Sequence, residues 1–141
     1  MHDPARGGST LMAFDFGEKR IGVAIGNLIT GSARPLAVIE RERRQDRFAA
    51  IEALIREWGP DRLVVGLPVY PDGAAHPFSG RCRRFANQLA GRFGLPVSLE
   101  DERFTSALAP KPDHMIDAQA AAILLQGVLD TLSAHGTVSP N

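Results

Sequence analysis

A single cysteine, Cys82, among 141 residues leaves no internal disulfide to form, so the chain is not a small stapled secreted domain and a reducing cytoplasm is the expectation. No run is long or apolar enough for a signal peptide or a membrane span, and no membrane partner is expected. Net charge is missing as well. Sixteen basic and sixteen acidic side chains cancel, so affinity for nucleic acid would have to come from local patches. No internal repeat argues for subdivision, and 44% hydrophobic content suits one domain with its own core. We place it at residues 11–132, after a polar lead at 1–10 without periodicity and before a tail at 133–141.

The stretch that organises this chain is Leu11 to Gly26, LMAFDFGEKRIGVAIG. Apolar residues lead into Asp15, Gly17-Glu18-Lys19 makes a turn, and a second apolar run begins at Ile21: strand, tight turn, returning strand. A carboxylate at the end of an apolar strand is costly unless a cation, a donor or water meets it. Asp15 either caps the turn through bonds to nearby N–H groups or belongs to a metal or phosphate site.

A third strand is expected at Ala33 to Ile39, with Pro35 arguing for an early or edge position, so the first three strands form an antiparallel meander. The charge run ERERRQDR, Glu40 to Arg47, reads as a solvated loop and helix start in preference to a binding patch. Phe48, Ile51, Ile55 and Trp58 give the helix one apolar face, and Gly59-Pro60 ends it. Arg62 to Gly66 (RLVVG) is a central strand covered on both sides, stopped at Gly66-Leu67-Pro68. The loop Tyr70 to Pro77 is either functional or a plain connector.

The next helix, Phe78 to Phe93, carries an apolar stripe of Phe78, Cys82, Phe85, Leu89 and Phe93 and a second stripe of Arg81, Arg84, Gln88 and Arg92. The second stripe is basic; it is either solvated or a nucleic-acid contact. Cys82 reads as core. A fifth strand, Pro96 to Glu100, ends in Asp101-Glu102-Arg103, a charged rim that is idle or holds a cation. The final helix is Ile116 to Leu132. Asp117 shares a face with Ala121, Leu124 and Val128, so it points inward; the helix dipole alone would favour it there, and it lies near Asp15 if this helix crosses the first strand.

Three strands, helix, strand, helix, strand, helix imply a five-stranded mixed sheet with helices on both faces, an α/β fold of the ribonuclease H-like kind. The motifs AFDFGEKRIGVAIG, ARPL, VVGLP with a following DG, DERFTS and IDAQAAAILLQGVLD, in that order, resemble the YqgF or RuvX family, relatives of Holliday junction resolvases regarded as pre-16S ribosomal RNA nucleases. The resemblance covers Leu11 to Leu132.

It implies a cytoplasmic hydrolase that cleaves phosphodiester bonds and matures the 5′ end of 16S ribosomal RNA, acting as a monomer or homodimer. Carried over residue by residue, Asp15, Glu102 and Asp117 are the catalytic acids and ligands of Mg²⁺ or Mn²⁺, with Asp101 a neighbouring candidate ligand. Arg103, Thr105 and Ser106 match the residues after the acidic pair, and Gly66 and Pro68 match the structural turn, as Gly17 does in the first hairpin. Lys19, Arg20, Arg81, Arg84, Arg103 and Thr105 are expected to hold the flanking nucleic acid. One departure stands out: residues 104–116 are shorter than the helical, basic segment of relatives, which implies a reduced lid or one supplied by a partner. Precursor 16S RNA is the expected substrate and branched DNA the nearest rival. The other classes are a non-catalytic ribosomal-RNA-binding module of the same fold, and an actin-like phosphotransferase, for which the chain has one domain where two are needed.

Overall fold

The computed structural model describes residues 9–17, 19–40, 43–68, 72, 76–101 and 118–134. The Asp-Phe-Gly stretch ends β1 (Thr10–Phe16), and β2 (Ile21–Asn27) returns antiparallel with Phe16 opposite Ile21. The Gly17 N–H donates to the Arg20 carbonyl at 2.9 Å and closes the turn. A second turn, held by the Asn27 side-chain oxygen accepting from the Ile29 N–H at 2.7 Å, leads to β3 (Ser32–Ile39). Pro35 lies on this strand, which is the sheet's edge, where a missing N–H costs no ladder bond on the outer side.

Helix α1 (Arg44–Trp58) and helix α2 (Ser79–Phe93) flank β4 (Arg62–Leu67), and β5 (Val97–Asp101) follows. Both helices stop where the sequence predicts. Gly59 (φ 57°) and Gly94 (φ 66°) take the left-handed conformation that closes each last turn, donating to the carbonyls of Ile55 and Ala90. Helix α3 (Ala118–Ala134) completes the described fold. The strand order is β3-β2-β1-β4-β5, with β1, β4 and β5 mutually parallel and β2 and β3 antiparallel.

Strand alternation divides the core in two. Met12, Phe14, Leu63 and Val65 face α1 and α2, where they meet Phe48, Ile51, Cys82, Phe85 and Leu89. Leu11, Ala13, Ala24 and Val64 face α3 and meet Ala121, Leu124, Leu125 and Leu129. Small residues on that second face bring the helix close. A Cβ on Gly26 would stand 2.9 Å from a Leu125 methyl and 3.1 Å from the Ser32 carbonyl oxygen. Cys82 is buried on the apolar face of α2, as the stripe predicts.

Candidate functional site

The carboxyl ends of the three parallel strands open on one edge of the sheet, which is where α/β folds place their ligands. Asp15 lies at this edge, one of two buried polar side chains among the described residues, with 3% of its surface exposed. Alternation from Leu11 and Ala13 sets it on the α3 face. Its neighbours on the rung lack side chains. Gly22 is its partner on β2, and on β4 the register Phe14 with Val65 makes Gly66 the next position.

The direction of α3 follows from its contacts. Leu125 and Leu129 pack on Gly26, and the Gln126 side chain bonds to Gly31 and Ala33 at the turn between β2 and β3. Gly26 pairs with Leu11, at the far end of β1 from Asp15. Going back from Leu125 to Ala118 climbs about 10 Å at 1.5 Å per residue, and Leu11 to Asp15 spans about 13 Å of strand. The helix therefore starts level with the Asp15 end of the sheet, to within a turn. In the sequence Asp117 precedes Ala118 directly.

Glu102, Asp117, Arg103, Thr105 and Ser106 lie outside the described residues. So do most of the loop Tyr70 to Pro77 and all of 104–116. Among the described residues no group of three or more His, Cys, Asp or Glu side chains is arranged to hold a metal ion. Asp101 ends β5 opposite Leu67, and alternation from Leu99 sets it on the face away from Asp15. Glu100, which the sequence reading passed over, shares both the rung and the face of Asp15, with Gly66 between them. Two strand spacings, about 10 Å, separate their backbones. The donor chemistry of this edge is carboxylate oxygen, the type that hard divalent ions take.

The other assigned residues take different surroundings. Lys19 is exposed at the hairpin tip, whereas Arg20 pairs with Glu40 at 3.7 Å. The Pro68 carbonyl accepts from the Ser79 hydroxyl at 2.9 Å, pinning the turn after β4 to the start of α2. Arg81 and Arg84 are exposed on α2, on the opposite face of the sheet from Asp15. Arg47 was missed. The charge run does end in solvent at Arg43, Arg44, Gln45 and Asp46, but Arg47 is half-buried, lies over the Phe16 ring at 5.9 Å and donates to the Gly17 carbonyl at 3.5 Å. The available signal was its place immediately before Phe48, the first residue of the apolar stripe. Burial, and then the charge of Arg81, hold the Arg47 guanidinium below its ordinary pKa.

Comparison with known proteins agrees with this architecture. A protein of Burkholderia cenocepacia (strain HI2424), provisionally named a pre-16S rRNA nuclease, is 51% identical over 90% of this chain and 93% of its own length. Its counterpart in Paraburkholderia phymatum, named in the same way, is 53% identical over 91% of this chain and 89% of its own. Among solved structures, Thermus thermophilus RuvC in complex with a Holliday junction substrate superposes with a TM-score of 0.56 at 18% identity, over 92% of this chain and 97% of that one, a likeness of fold that makes the sheet and helices ribonuclease H-like. The family described as RuvX, Holliday junction resolvase, matches residues 9–131, and the chain belongs to that family.

Proposed function

We propose that this chain is a cytoplasmic, divalent-metal-dependent nuclease that processes the 5′ end of precursor 16S ribosomal RNA. The observation that carries this is Asp15: an acid buried at the open end of three parallel strands, on the face where α3 starts. The Burkholderia cenocepacia and Paraburkholderia phymatum relatives, matched over nearly their full length, are named for the same RNA. The fold also places no described helix long and apolar enough to cross a membrane.

Asp15, Glu102 and Asp117 would hold Mg²⁺ or Mn²⁺, whereas Asp101, on the face away from Asp15, is set aside as a ligand. The bound ion would supply positive charge against the phosphate oxygens and lower the pKa of water. Asp15 contributes a carboxylate fixed by strand geometry, which needs no reordering when a phosphate arrives. The glycines at 22 and 66 bring no side chain to the rung beside it. Lys19 at the exposed hairpin tip, Arg81 and Arg84 on α2, and Arg103 and Thr105 after the acidic pair would take flanking phosphates without reading bases. Arg20 would have to leave Glu40 to join them.

The test is purified protein with precursor 16S ends and with four-way DNA junctions, with and without Mn²⁺ or Mg²⁺, beside Asp15→Asn and Asp117→Asn. Metal-dependent cutting of the precursor that both variants lose is expected. Equal cutting by wild type and variants would remove the site assignment. A second reading, resolution of DNA junctions, rests on the description of the matched family, and preferential cutting of the junction would establish it.

A further inference from the structure

Phe16 follows Asp15 on β1, and consecutive strand residues face opposite sides, so the strand end that offers a carboxylate toward α3 offers a phenyl ring toward α1 and α2. That ring is stacked between Phe78, at 5.6 Å, and Phe85, at 4.4 Å. Two arginines from different helices lie on this stack: Arg47 of α1 over Phe16 at 5.9 Å and Arg81 of α2 over Phe78 at 5.0 Å. Each gains attraction from the negative face of its ring. Phe16 and Phe78 thus carry both guanidiniums on one stack, and Arg47 feels the charge of Arg81. A phosphodiester backbone running along the stack could take a charge-assisted contact from each arginine.

We propose that Arg47 and Arg81, carried on the Phe16–Phe78 stack, form a phosphate clamp that grips the nucleic-acid backbone beside the phosphate held at Asp15. This rests on the nuclease reading and adds to it a residue, Arg47, and a path: the strand passes over the sheet edge from the α3 face to the α1 and α2 face. The occupant is a phosphodiester backbone, because the platform presents guanidinium forks and, among the described residues, no pocket for a base. Arg92 marks the limit of the clamp. It sits over Phe48 at 4.1 Å, about 16 Å along α2 from Arg81, in a shallow groove it shares with Glu52.

The experiment is fluorescence anisotropy of a short single-stranded RNA from the precursor 5′ end, across a salt series, with cleavage measured in parallel. Wild type is compared with Arg47→Gln, Arg81→Gln, the double variant, Arg47→Lys and Arg92→Gln, each checked for its thermal melt. Arg81 is exposed, so its variant keeps the proposal testable if Arg47→Gln folds poorly. The clamp predicts a loss of roughly fivefold in affinity for each of the two arginines and a fall of about one in the slope of log K against log salt for each. Arg47→Lys should recover most of the slope, and Arg92→Gln should change little. Wild-type binding and slope in the double variant would overturn the clamp and leave the nuclease reading intact. An equal loss in Arg92→Gln would also overturn it, in favour of diffuse charge. A protein that binds RNA through both arginines but never cuts it would keep the clamp and remove the nuclease, and a wild type that binds no RNA would end both.

Discussion

The two faces of one sheet are built from different stock. On the α1 and α2 side the contacts are made by rings: Phe85 touches Phe14, Phe16 and Phe48, and arginines spread over the outer edges of the cluster. On the α3 side Ala13, Ala24, Ala121, Ala122 and Gly26 let a single helix press close to the strands. Large residues hold two helices off the sheet and leave aromatic surface where cations can lie. Small residues bring one helix close to the strands, one of which ends at the buried acid. The sheet edge thus carries an acid on one face and positive charge on the other, and a polyanion that must be both held and cut needs both.

The largest effect that would break this division is loss of the acid. Asp15→Asn should lower metal-dependent cleavage about a hundredfold or more, several kcal/mol of charge stabilisation, while the melt stays cooperative. Retained cleavage would reduce Asp15 to a cap of its turn. Next comes the ring face: Phe85→Ala should cost about 3–5 kcal/mol in urea unfolding, because the cavity it leaves is bordered by three other rings. A small cost there would show that the rings are not the support of that face.

The close face is sharpened by a different substitution. Gly26→Val should cost about 1–3 kcal/mol by pushing Leu125 and Leu129 away and crowding the Ser32 carbonyl. Gln126→Ala is the mildest. Its side chain accepts from the Ala33 N–H at 3.0 Å and donates to the Gly31 carbonyl at 2.8 Å, so removal should cost about 1 kcal/mol in unfolding and speed hydrogen exchange at Ala33. A neutral result in both would mean that α3 is not tied to this end of the sheet, and its start would lose its fixed relation to Asp15.

Local pattern was enough for the elements and their order. The run into Asp15, the apolar spacing of Phe48, Ile51, Ile55 and Trp58, and the glycines at 59 and 94 each write their structure in a few neighbouring residues, because capping and periodicity act over one or two turns. Pro35 likewise announced an edge strand through its own missing N–H. Only the tertiary structure decided which face each charge takes. Asp101 and Glu100 are neighbours in sequence on opposite faces, and register alone aligned Glu100 with Asp15 across Gly66. Arg47 looked like the last charge of a solvated run until packing laid it on a ring from β1, some thirty positions earlier in the chain, a contact that no local rule reaches.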